Sequence, residues 1–229
     1  MSFPRARNWF VALALVGLGA TTAAAGTVDV SGTADIFLAG QTTVPTDWAY
    51  NPGTGGLGAG SLPPSISVFG GEVLNLTATG TVSCCLGGSP TNGPDGGGLG
   101  GGTSIQGYGN VNYLYTSGTQ MALLGVFGGS SLTTPWTIFQ VGSSDLGLVV
   151  PTGATQLYFG FADAYGFNSS NEGGTGPNNL PGWYNDNTGS ISVSYTPLPA
   201  TWTLMLVGLA GLGFVAYRRQ KQSTAIAAA

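Results

Sequence analysis

The chain has no histidine, and only 6% of its 229 residues are charged. An imidazole base and imidazole ligation of zinc are therefore excluded. Cations are absent from most of the length: Arg5, Arg7, Arg218, Arg219 and Lys221 sit at the two ends, and all nine carboxylates lie between them. From Gly26 to Tyr217 no side chain can neutralise a phosphate, which excludes nucleic acid as a partner of that stretch. Glutamate is limited to Glu72 and Glu172. With no histidine and so few acids, a hydrolytic carboxylate pair is poorly supported, and the chain reads as non-enzymatic. Neither an internal repeat nor a convincing amphipathic helix is visible. A negative stretch without a cation of its own makes cation binding the natural question.

Glycine is abundant instead, with 41 residues, and there are 13 prolines. Arg5 and Arg7 precede an apolar run from Trp9 to Ala20, and Ala23-Ala24-Ala25 supplies small residues before Gly26. This order is that of a secretory signal peptide, residues 1–25. Ala200 to Tyr217 is apolar apart from Thr201 and Thr203 and is followed at once by Arg218, Arg219 and Lys221. With Pro199 it approaches the ~20 residues of a transmembrane helix. The basic cluster then stays cytoplasmic and residues 26–196 lie outside the inner membrane, with a short cytoplasmic tail at 222–229.

Residues 26–196 suffice for one domain. Short segments rich in β-branched and aromatic residues alternate with glycine and proline clusters: Thr27 to Leu38, Ser65 to Phe69, Glu72 to Ser83, Gln120 to Phe127, Trp136 to Val141, Thr155 to Ala162 and Thr188 to Thr196. Period-two alternation is clearest in Val73 to Ala78 and Ser190 to Tyr195. The pattern predicts an all-β antiparallel β-sandwich, with glycine-rich loops at Asn51 to Gly60 and Leu86 to Gly109. Gly96-Gly97-Gly98-Leu99-Gly100-Gly101 fits G-x-G-x-x-G, but no strand-to-helix context surrounds it, so it reads as loop.

Chemistry concentrates late in the domain. Leu157 to Ala162 ends in Asp163, a loop of about 20 residues follows, and Trp183-Tyr184-Asn185-Asp186-Asn187 leads into the next strand. If those two strands are neighbours, Asp163, Asp186 and Asn187 meet at one rim. Carboxylate and amide oxygens on loops are what calcium takes; the same residues also make ordinary turns, and both readings stand. Trp183 and Tyr184 beside them have rings able to stack on a sugar. Cys84 and Cys85 are adjacent in an oxidising compartment, which leaves a vicinal disulfide, an intermolecular bridge or free thiols.

Two resemblances extend this reading. Pro197-Leu198-Pro199-Ala200, the span with Gly208 to Gly213, and Arg218-Arg219 resemble the PEP-CTERM sorting signal of Gram-negative bacteria, here residues 197–221. That implies processing by an exosortase-type membrane protease, and a cell-surface or extracellular-matrix destination. Phe161-Ala162-Asp163, the loop, and Tyr184-Asn185-Asp186-Asn187-Thr188-Gly189-Ser190-Ile191-Ser192-Val193 resemble the LecA-type galactophilic lectins, as do Val73 to Ser83, Asn92 to Gly96 and Met121 to Gly129. The resemblance implies a jelly-roll, galactose-binding-like sandwich that binds Ca2+ through the side chains of Asp163, Asp186 and Asn187 and the backbone carbonyls of Trp183 and Cys84. Carbohydrate contact by Asp163, Trp183, Tyr184 and Asp186 follows from it, with an exopolysaccharide or other glycan as partner. The sugar-contacting histidine of that family has no counterpart in this chain.

Overall fold

A computed structural model describes residues 24–44, 60–84, 91–97, 103–105, 110–111, 114–116, 121–163, 175–176, 180–181, 184–198, 205 and 208–218. In chain order the strands are β1 (Gly26–Ser31), β2 (Ser65–Ser67), β3 (Val73–Ser83), β4 (Thr91–Asn92), β5 (Thr103–Ile105), β6 (Leu114–Thr116), β7 (Leu124–Gly128), β8 (Ile138–Gln140), β9 (Ser144–Val149), β10 (Gln156–Gly160), β11 (Thr175–Gly176), β12 (Leu180–Pro181) and β13 (Thr188–Leu198). One antiparallel sheet runs β1-β13-β3-β4, with β9 also on β3, and a second runs β2-β10-β7-β8. β5 pairs with β6, and β11 with β12, as separate two-stranded ladders.

Alternation makes the sandwich. On β3 the buried Leu74, Leu76 and Ala78 alternate with Val73, Asn75 and Thr77; on β13 Ile191 and Val193 do the same between serines. β10 contributes Leu157 and Phe159 from the other sheet, and these residues join Val30, Ile66 and Leu123 in one cluster. Burial of each large apolar side chain contributes about 1.5–3 kcal/mol, so this layer is what holds the two sheets face to face. A second cluster packs Ile36, Phe37, Val111, Trp136 and Ala162 against Leu124 and Val126 of β7.

Several expectations need correcting. Thr27 to Leu38 is not one strand: β1 stops at Ser31, and Ile36–Leu38 is a 3-10 turn. Asp35 causes the break, because its Oδ1 accepts from the Phe37 N–H at 2.8 Å and caps the turn. β7 begins at Leu124 rather than Gln120, with Met121 in a left-handed conformation before it. The glycine-rich stretch Leu86 to Gly109 contains β4 and β5, and β11 and β12 lie in the loop between Asp163 and Trp183.

β9 was not foreseen, since its alternation is interrupted. Leu74 faces Leu148 and Asn75 faces Leu146, so Gly147 is the extra residue of a bulge. Its φ of 78° suits glycine, and its N–H donates to Asn75 Oδ1 at 2.9 Å.

β13 continues through Leu198, pairing Pro197 with Leu74 and Leu198 with Val73. β1 starts opposite Tyr195, so Pro197 lies beyond the β1 ladder, where its missing N–H breaks no bond to that neighbour. Beyond it, residues 205 and 208–218 are helical, with Leu209, Leu212, Phe214 and Tyr217 exposed. Among the described residues no helix is long and apolar enough to cross a membrane. The start of the expected span, residues 1–23 of the signal segment, and Pro199, Arg219 and the tail lie outside the described residues.

Candidate metal centre

β10 and β13 are not neighbours. They belong to different sheets, β10 between β2 and β7 and β13 between β1 and β3. A buried tyrosine nevertheless links the end of β10 to the turn before β13. The Tyr184 hydroxyl donates to the Phe161 carbonyl at 3.0 Å and accepts from the Asp163 N–H at 3.2 Å. Asn187 closes the turn by donating its N–H to the Tyr184 carbonyl at 3.2 Å. Its side-chain Nδ2 donates to the Gly32 carbonyl at 3.0 Å and reaches Met121 Sδ at 4.0 Å.

Asp35 is the residue that the sequence reading passed over. The segment carrying it lies along the end of β10: the Phe161 N–H donates to the Ala34 carbonyl at 2.8 Å and the Ile36 N–H to the Phe161 carbonyl at 3.2 Å. Asp35 is fully buried. One oxygen caps the 3-10 turn; the other, Oδ2, is buried with no hydrogen-bond donor. The Tyr184 hydroxyl lies close enough to hydrogen-bond the Asp35 carboxyl as well as the Phe161 carbonyl. Burial pushes the Asp35 carboxyl well above the ordinary carboxylate range; the Phe37 N–H and the nearby Tyr184 hydroxyl oppose this, and the Asp163 charge adds to it. Tyr184 is raised too, first by burial and then by the Asp35 charge. The available signal was an acid inside the apolar run Ala34-Asp35-Ile36-Phe37-Leu38, where burial requires a partner.

Asp163 is 4% exposed and Asn187 5%, while Asp186 is partly exposed in the same turn. Asn187 Oδ1, like Asp35 Oδ2, is buried without a hydrogen-bond donor. Buried acceptors normally have partners, supplied by protein, water or an ion. Among the described residues no group of three or more histidine, cysteine, aspartate or glutamate side chains forms a ready metal cage. A cation here would need amide and backbone carbonyl oxygens besides carboxylates, a donor set that fits calcium rather than zinc.

Other expected site residues fall as follows. Ser83 and Thr188 are paired, and their hydroxyls lie 2.8 Å apart, so Cys84 follows β3 just where the Asn187 turn enters β13. Cys84 is fully buried in the main core; Cys85, and with it the expected disulfide, lies outside the described residues, as does Trp183. Tyr184 is fully buried, so its ring offers no face to a sugar and serves instead as the rivet between the sheets. Asp95 is engaged elsewhere, accepting from the Ser143 N–H at 2.7 Å.

No protein-family model matches the chain, and no curated protein matches it at a significant level. Neither the sorting signal nor the lectin family therefore gains support from those comparisons. Among solved structures, the N-terminal domain of EclA, described as a PllA-like lectin, is similar to this chain with a TM-score of 0.37 and 17% identity, covering 75% of this chain and 95% of that one. At that level the similarity says nothing about ligands.

Proposed function

We propose that the chain is an exported cell-surface or matrix protein whose sandwich binds calcium at this rim and, through it, a carbohydrate. The observation that carries the proposal is a pair of buried oxygens without a hydrogen-bond partner, Asp35 Oδ2 and Asn187 Oδ1, in the segments that Tyr184 links. They lie in a stretch from Gly26 to Tyr217 with no lysine or arginine to neutralise them. Asp163, Asp186 and Asn187 would hold the ion through side-chain oxygens, and the lectin resemblance adds the carbonyls of Trp183 and Cys84. Calcium would supply a fixed positive centre that accepts sugar hydroxyl oxygens. Tyr184 would keep the loop after β10 and the turn before β13 in place. Delivery would follow the sorting reading, with a signal peptide, Pro197 and Pro199, an inner-membrane span, and Arg218 and Arg219 on the cytoplasmic side before an exosortase-type protease acts.

The burial of Tyr184 favours a second reading, in which calcium braces a structural surface protein that binds no sugar. Calorimetric titration of the full chain with calcium, followed by a glycan array with and without chelator, separates the two. Calcium binding with chelator-sensitive glycan signals supports the first; calcium binding alone supports the second. Absence of calcium binding removes both.

A further inference from the structure

The outer face of the second sheet has a cleft with a different chemistry. Its volume is about 490 Å³, and Asn110, Ser130, Trp136, Thr155, Gln156 and Tyr158 line it. Gln156 and Tyr158 lie on β10 and point away from the main core, since Leu157 and Phe159 between and beyond them fill it. Trp136 and Tyr158 stack with centroids 6.2 Å apart and an interplanar angle of 17°. They lie over Gly128, where a Cβ would fall 2.7 Å from Tyr158 Cε2 and 2.8 Å from Trp136 Cζ3, so only glycine leaves the rings room. The Gln156 amide is held in place, accepting from Ser65 Oγ at 3.0 Å and donating to Ser67 Oγ at 3.5 Å. Trp136 carries a buried indole N–H with no hydrogen-bond acceptor.

We infer that this cleft is a binding site for a neutral saccharide, independent of the cation rim. Among the described residues no charged side chain lines it, and from Gly26 to Tyr217 the chain has no cation, so an anionic ligand finds no counter-charge and no described carboxylate faces a cationic one. The half-buried Tyr158 ring, backed by the buried Trp136, can meet the C–H face of a pyranose, while amides and hydroxyls both donate and accept, as a ring of sugar hydroxyls demands. Position separates the two sites. Gln156 and Gly160 are the two ends of β10, about 13 Å apart at ~3.3 Å per residue, and Asp163 lies beyond the far end.

The test is titration of the full chain, in chelator, with neutral oligosaccharides of differing linkage: cellohexaose, maltohexaose, xylohexaose and mannohexaose, read by tryptophan emission. At least one should give a saturable change. Asn110→Ala and Tyr158→Ala should each weaken it by about tenfold or more, Tyr158→Phe should retain more of it than Tyr158→Ala, and Asp163→Ala should leave it unchanged. A hexamer of galacturonate should bind more weakly than the neutral ligands. Absence of saturable binding by all four to about 10 mM, in protein with an unchanged melting curve, overturns the inference. So does binding that chelator or Asp163→Ala abolishes while Tyr158→Ala spares it, because that sugar would sit at the rim. Loss of calcium binding with this cleft intact would refute the calcium proposal alone.

Discussion

The hydroxyl of Tyr184 donates to the carbonyl of Phe161 at 3.0 Å, and through that bond the turn before β13 is fastened to the end of β10. The two belong to different sheets, so this buried hydroxyl, with the backbone bonds of Phe161 to Ala34 and Ile36, ties the sheets together at one end.

Tyr184→Phe should therefore cost more than a surface substitution. It removes the acceptor of the Asp163 N–H and one of the two donors to the Phe161 carbonyl, which keeps the Ile36 N–H. The expected loss is about 1–3 kcal/mol in urea denaturation. Calcium-dependent stabilisation should weaken with it, since the loop bearing Asp163 loses its tether.

Calcium should stabilise the wild-type chain by about 2.7 kcal/mol at 100 times its Kd, seen as several degrees of melting temperature. Asp163→Asn and Asp186→Asn should each shrink that shift. Asp145→Asn should not, because Asp145 lies on β9, which pairs with the first half of β3 away from the rim. Identical melting curves in chelator and in excess calcium would refute the proposed centre.

Asp35→Asn should separate the intrinsic cost of the buried acid from its use. An asparagine oxygen can still cap the Phe37 N–H, while the buried carboxyl and its repulsion with Asp163 disappear. In chelator the variant should melt at the wild-type temperature or above it. In calcium it should melt below wild type. Thermal scans under both conditions check this reversal, which a purely structural role for Asp35 would not produce.

Leu76→Ala should cost about 2–5 kcal/mol, as Leu76 is fully buried between the sheets. Val149→Ala, on a residue 61% exposed, should stay within about 0.5 kcal/mol of wild type. Equal effects in urea denaturation would mean that the two sheets do not pack as described.

What could be read along the chain was whatever depends on near neighbours. Alternation in Val73 to Ala78 and Ser190 to Tyr195 revealed the long strands β3 and β13 and the all-β class, because side-chain direction in a strand reverses at every residue. The absence of lysine and arginine from Gly26 to Tyr217 was a reason, independent of any fold, to expect no polyanionic partner of that stretch. Pairing across the sandwich was another matter. The strands carrying Asp163 and Asn187 lie in different sheets, and only three-dimensional packing links their ends. Asp35 could be placed only once the cap on Phe37 and the Phe161 backbone bonds were visible, since a carboxylate in an apolar run has no sequence periodicity to mark its role. The β9 bulge and the Trp136–Tyr158 cleft are likewise tertiary products. Gly147 is an extra residue only relative to its partner strand, and the two rings lie 22 positions apart in the chain and stack because Trp136 leads into β8 and Tyr158 lies on β10, the two strands that flank β7.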